Sequence, residues 1–338
     1  MDDFDYQEYS RDFDAIMAAL GDLSAPLKDR DLCALSNLEG DELQLFSAHW
    51  SAIDAGRRLD IMQSTAALSA ERLDLVFRQI ARVAMHDDDP RVRTAAIDNL
   101  RVEEDPRLIG PLLEIVGADA AGDARAAAAA CLGVHVYLGE MDELPAARAA
   151  EIADALLVVE SDDASPKVRM RALESLGYSS RPEVNERIQA AWYTNDDAWQ
   201  ASAVRAMGRS ADPGRWAETV LEAHPHHSYC GGGGAARAAG DLELESAVPE
   251  LGEMIYDSAA LQQAAVWALG EIGGQPARTL IIELQALAEH DVAIQSLADE
   301  ALGKIDLMEG ALDFATLDPG DLDEMLAVEE FEEEDSVH

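Results

Sequence analysis

Lysine is nearly missing from this 338-residue chain: Lys28, Lys167 and Lys304 are the only three, among 25 basic side chains set against 67 acidic ones. The resulting formal charge of −42 repels phosphate backbones and anionic membranes, and no local basic stripe stands out, so neither nucleic acid nor a membrane surface is expected as a partner. A protein partner is expected instead, with basic proteins the best matched. An acidic, lysine-poor surface would also suit a salt-rich cytosol. Aromatic residues make up only 5% of the chain while alanine and leucine abound, which suits closely packed helices better than a β-rich core. Cys33, Cys131 and Cys230 are odd in number and far apart, which excludes a disulfide framework and fits a reducing compartment. The longest uncharged stretch, Ala126 to Gly139, falls short of the ~20 residues a membrane span needs. The opening Met1-Asp2-Asp3-Phe4-Asp5 lacks the basic start of a signal peptide. A cytoplasmic monomer is the expectation.

What the sequence does contain is a repeat. A small-apolar-Gly triplet recurs at Cys131-Leu132-Gly133, Ser175-Leu176-Gly177, Ala206-Met207-Gly208, Ala238-Ala239-Gly240, Ala268-Leu269-Gly270 and Ala301-Leu302-Gly303. From Gly177 onward the glycines are spaced by 31, 32, 30 and 33 residues, a period that signals stacked supersecondary units. The 44-residue interval between Gly133 and Gly177 implies an insertion, placed around Val134 to Pro145, and an earlier copy ends at Asn99-Leu100-Arg101. The sixth copy resolves into two helices. Val248, Leu251 and Ile255 share one face of the first, and Leu261, Ala264, Ala265, Ala268 and Leu269 form the apolar stripe of the second, with Gly270 expected to terminate it. Neither short helix could bury its stripe alone, so neighbouring pairs must stack.

A second regularity accompanies the first. Eight residues before successive anchors stand Arg93, Arg125, Arg169, Gln200, Gly232, Gln262 and Gln295, and six residues before the arginines stand Asp87, Asp119 and Asp163. This spacing lets a turn carboxylate meet a guanidinium near the start of the second helix, giving a structural ladder that ends after three copies.

Three segments, Asp88-Asp89-Pro90-Arg91-Val92-Arg93-Thr94-Ala95-Ala96, Pro166-Lys167-Val168-Arg169 and Ala265-Val266-Trp267-Ala268-Leu269-Gly270-Glu271-Ile272-Gly273, resemble HEAT repeats, and more narrowly the bacterial PBS-lyase HEAT-like subgroup. The resemblance covers roughly residues 70–305. It implies an all-α fold: a right-handed α-solenoid of about seven stacked helical hairpins, whose concave second-helix face receives partners. It says little about function, because that family spans scaffolds, adaptors, bilin lyases and a hydroxylase. The hydroxylase holds two irons with repeated His-Glu pairs, and no such dipeptide occurs here, where His49, His86, His135 and His290 stand alone.

The domain organisation expected is a helical cap over residues 1–68, repeats over 69–308 and an acidic tail over 309–338. A helix from Glu71 to Met85, using Leu73, Val76, Phe77, Ile80 and Val83, is expected to begin the repeats. The tail holds 12 carboxylates and no lysine or arginine. Leu322, Met325, Leu326 and Phe331 lie among them, a pattern that fits either a solvated tail or a segment that docks into a basic, hydrophobic groove. In the fifth copy, His224, His226, His227 and Cys230 precede a run of four glycines. Imidazole and thiolate suit zinc, copper or nickel, but adjacent His226 and His227 diverge, so the segment is read as an irregular loop with these four as candidate metal ligands. The glycines delay the next helix to near Ala235. Trp199 is expected in the core, whereas Trp192, Tyr193 and Trp216 are candidate partner anchors.

No catalytic constellation and no cofactor are expected. A protein-binding scaffold or adaptor is the leading expectation, and a PBS-lyase-like enzyme or chromophore-handling protein is the alternative.

Overall fold

The computed structural model describes residues 13–223, 233–288 and 290–316, and every regular element among them is helical. The chain divides into two compact units, Met1–Arg187 and Ile188–His338. The first contains α1 (Phe13–Gly21), α2 (Asp29–Cys33), α3 (Gly40–Trp50), α4 (Ala55–Glu71), α5 (Arg78–Ala84), α6 (Pro90–Asp98), α7 (Ile109–Ala118), α8 (Gly122–Glu140), α9 (Ala146–Asp162) and α10 (Pro166–Leu176). The division falls inside α11 (Pro182–Trp192). The second continues with α12 (Asp197–Arg209), α13 (Pro213–Ala223), α14 (Gly233–Asp241), α15 (Val248–Met254), α16 (Ala259–Ile272), α17 (Gly274–Leu287) and α18 (Val292–Thr316). No helix among the described residues is long and apolar enough to cross a membrane.

Helical hairpins build each unit. In the first, α5 packs on α6, α7 on α8 and α9 on α10, and the second members run in series from α4 through α6 and α8 to α10. In the second, α13 packs on α14, α15 on α16 and α17 on α18, and the series runs from α12 through α14 and α16 to α18. Local chemistry starts these helices. Asp89 accepts from the Arg91 amide ahead of Pro90, and Asp196 accepts from the amides of Ala198 and Trp199. The stripe expected in the sixth copy is buried in full: Leu261, Ala264, Ala265, Ala268 and Leu269 pack inside, as do Val248, Leu251 and Ile255 opposite them.

Apart from Gly177, the C-cap at which α10 stops, the triplet glycines lie inside their helices. α8 runs through Gly133, and α16 runs past Gly270 to Ile272, where Gly273 with φ 70° supplies the stop. What the glycines provide is close approach. A Cβ on Gly208 would lie 2.8 Å from the Cα of Ala238, one on Gly240 2.9 Å from the Cα of Ala268, and one on Gly270 3.1 Å from the Cβ of Ala301. Each glycine thus receives the small residue that opens the next triplet, so the motif is one half of a contact made by its neighbour. In the first unit the small residue also donates a hydrogen bond backwards. Asn99 Nδ2 donates to the Met62 carbonyl, Cys131 Sγ to that of Leu100 and Ser175 Oγ to that of Ala129. Burial pushes the Cys131 thiol up to about 12, so it stays protonated as a donor.

Three further expectations gain detail. The extra residues after Gly133 prolong α8 to Glu140, since Val134 to Leu138 continue its apolar, helix-competent pattern. In place of one helix from Glu71 to Met85, α4 ends at Glu71 and a connection leads to α5. Val76 donates its amide to Ser36 Oγ and lends its carbonyl to the Asn37 amide, which holds the chain extended while Leu73 is 95% exposed. After the glycine run the described residues resume at Gly233, already in α14, close to the Ala235 expected. At the ends, α4 crosses the 68/69 boundary and α18 crosses the 308/309 boundary.

Candidate protein-binding face

The edge formed by the hairpin turns of the first unit carries the arginine ladder, and its register differs from the local pairing expected. Arg93 Nε and Nη2 donate to Asp119 of the following copy at 2.7 and 2.8 Å, while its Nη1 donates to the backbone carbonyl of Asp87 at 2.7 Å. Arg125 repeats the arrangement, forking onto Asp163 at 2.7 and 2.9 Å and capping the Asp119 carbonyl at 2.7 Å. Each arginine therefore satisfies a carbonyl left open by its own turn and reaches the next copy with its other two donors. Each aspartate likewise accepts from an amide two residues on, as Asp119 does from Ala121 and Asp163 from Ser165. Burial would raise the Asp119 carboxyl, but hydrogen bonds from Arg93 and Ala121 outweigh it and leave it below the ordinary value. Arg125 holds Asp163 low in the same way.

The ladder starts earlier than the sequence suggested. Arg58 in α4 donates to Asp87 at 2.9 Å and to the Ile53 carbonyl at 2.5 Å, and Trp50 Nε1 donates to the same carboxylate at 2.7 Å. The stretch read as a cap thus carries the same device, hidden because no small-apolar-Gly triplet follows Arg58. Arg169 caps the Glu160 carbonyl through Nε at 2.5 Å. Glutamine keeps only the capping half of the role. Gln200 donates to the carbonyls of Trp192 and Thr194, Gln262 to that of Ile255, and Gln295 to those of Gln285 and Ala288.

In the second unit the side chains that link successive helices lie at the opposite end of the second helices. Arg205, Arg237 and Trp267 each stand three residues before their triplet glycine, and Arg209, Asp241, Glu271 and Lys304 each stand one residue after theirs. Positions four apart share a helix face, so the two rows form one surface. On it the Arg237 guanidinium lies 4.8 Å from the centre of the Trp267 ring. Lys304 pairs with Glu271, and Asp241 lies within electrostatic reach of Arg209 and Arg237. Arg237 and Asp241 are exposed, and Arg205, Arg209, Trp267 and Lys304 are not fully covered. Arg205, Arg209, Arg237 and Lys304 are four of the six lysines and arginines in residues 188–338, so the basic charge of this stretch gathers on one face of an otherwise acidic chain.

The aromatic candidates separate. Tyr193 is 75% exposed and Trp192 is half-buried. Trp216 is no surface anchor: it is 4% exposed in the core of α13, with Arg215 5.9 Å from its ring, because its position on a first helix turns it inward. Trp199 is half-buried, less enclosed than the core place expected for it. His224, His226, His227 and Cys230, and Leu322, Met325, Leu326 and Phe331, lie outside the described residues. Among the described residues no three histidine, cysteine, aspartate or glutamate side chains are grouped to hold a metal.

No protein-family model matches the chain, and no curated protein matches it. Among solved structures, the chain is similar to human deoxyhypusine hydroxylase in complex with glycerol. The identity is 16%, the match covers 87% of this chain and 96% of that one, and the TM-score is 0.29. At that score the likeness carries no argument about site or activity.

Proposed function

We propose that the chain is a non-enzymatic scaffold or adaptor, a right-handed α-solenoid of HEAT-like hairpins that holds a partner protein along its second-helix face. The observation that carries this reading is that Arg205, Arg209, Arg237 and Lys304 share that face with Trp267, Arg237 being stacked over its ring. Arginine and tryptophan are the side chains most often found to dominate protein–protein affinity. A guanidinium stacked on an indole keeps the N–H donors along its edge free to meet a carboxylate. The net charge favours basic partners at long range. At contact distance, beyond which ~10 Å screening removes most of that field at 0.1 M salt, this face suits an apolar segment that bears carboxylates.

The test is capture from source-cell lysate with the full chain and two variants. One, Arg237→Ala with Trp267→Ala, alters the face; the other, Ile282→Ser, alters an exposed position on first helix α17. A discrete protein captured by the wild type and by Ile282→Ser, but lost from the double variant, supports the reading. Equal capture by all three contradicts it, as does recovery of a chromophore or small molecule in place of a protein.

A further inference from the structure

We propose that the second-helix face of the second unit is occupied by the chain's own C-terminal segment, residues 317–338, so that the chain covers its binding face until a partner displaces it. The inference rests on the function proposed above for that face. Residues 317–338 contain ten carboxylates, at Asp318, Asp321, Asp323, Glu324, Glu329, Glu330, Glu332, Glu333, Glu334 and Asp335, and no lysine or arginine. Set among them are Leu322, Met325, Leu326, Val328 and Phe331, the chemistry that a stacked Arg237–Trp267 pair with flanking arginines accepts.

Connectivity supplies the second argument. The segment leaves from Thr316, the end of α18, which is the last member of the same helix series. Lys304 lies on the face and α18 continues for three turns beyond it, about 18 Å at 1.5 Å per residue. From α18 to α14 is two helix steps of about 8–10 Å each, so the return path from Thr316 to Arg237 is on the order of 30 Å. Ten extended residues cover that distance, so Leu326, the tenth after Thr316, reaches Arg237 while Leu322 lies on the path beside Trp267. Tethering turns this into an intramolecular contact at millimolar effective concentration, so individually weak pairs suffice. The mixed character of the face fits a displaceable occupant: Glu271 and Asp241 share it with the cations, which limits how tightly an acidic segment is held.

The experiment uses the full chain with p-benzoylphenylalanine in place of Phe331, irradiated at two protein concentrations tenfold apart, with adducts mapped by mass spectrometry. Adducts to residues 197–209, 233–241 or 259–272, in equal yield at both concentrations, are the expected result. Arg237→Glu is expected to lower that yield by about fivefold, as the loss and reversal of a partly desolvated pair implies, and Arg237→Lys to restore most of it. Replacing Glu329, Glu330, Glu332, Glu333 and Glu334 with glutamine perturbs only the segment and is expected to give the same loss. Absence of adducts, adducts confined to first helices or hairpin turns, or yields that scale with concentration would each overturn the proposal. Those results leave the scaffold reading to its own capture test. Loss of capture specificity there, with cis adducts retained here, would remove the partner and keep the intramolecular contact.

Discussion

Gly240 and Gly303 occupy the same place in the same motif, and alanine at the two should move stability in opposite directions. At Gly240 the added methyl would sit 2.8 Å from Trp267 Cζ3, 2.9 Å from the Ala268 Cα and 3.2 Å from its Cβ. The ring could turn aside, but a backbone Cα cannot, so α14 and α16 must separate. Such overpacking costs ~1–3 kcal/mol, against which alanine returns ~1 kcal/mol of helix propensity, leaving a net loss of up to about 2 kcal/mol. At Gly303 nothing lies within 4 Å, so only the propensity term remains, a gain of about 0.5–1 kcal/mol. Urea denaturation followed by circular dichroism reads both as shifts in midpoint. Tryptophan fluorescence should report the Gly240→Ala change in addition, because Trp267 is the first side chain displaced. Were the glycines present for a helix stop, both substitutions would destabilise alike; midpoints that move in the same direction refute the close-approach account.

The ladder makes further demands. Asp119→Asn removes the charge that Arg93 meets, both side chains being largely buried at 8% and 16% exposure, and should cost ~1–3 kcal/mol by urea midpoint. Asp119 and Asp163 are both held below their ordinary values, so their stabilisation is fully present above the unfolded-state pKa of ~3.9 and is lost as pH falls through the lower folded values. Thermal melts should therefore drop below about pH 4 in the wild type and drop less in Asp119→Asn. Trp216→Ala should cost ~3–5 kcal/mol as a core truncation, whereas Tyr193→Ala should stay within ~0.5 kcal/mol, which equilibrium melts of both variants decide.

Helix content and the hairpin repeat were legible because they rest on period alone: the triplets and the stripe from Leu261 to Leu269 needed no knowledge of neighbours. Roles that depend on a neighbour were misassigned. A glycine near a helix end looks like a stop until Ala268 is seen against Gly240. Asp87 six residues before Arg93 looks like its partner, yet Arg93 takes only the carbonyl of Asp87 and gives its fork to Asp119, 26 residues on. Arg58 was missed because nothing recognisable follows it eight residues later, although its contacts repeat those of Arg93. The two rows of the candidate face lay in the sequence at the period of the triplets themselves. They carry no apolar signal, because the positions three before and one after each glycine hold mostly charged side chains.

Hydrogen exchange on the full chain, alone and bound to a captured partner, tests the central claim most directly. The account predicts that protection on binding concentrates in peptides covering α12, α14 and α16, around Arg205, Arg237 and Trp267. Protection confined to first helices such as α13 and α17, or to the hairpin turns, would contradict it.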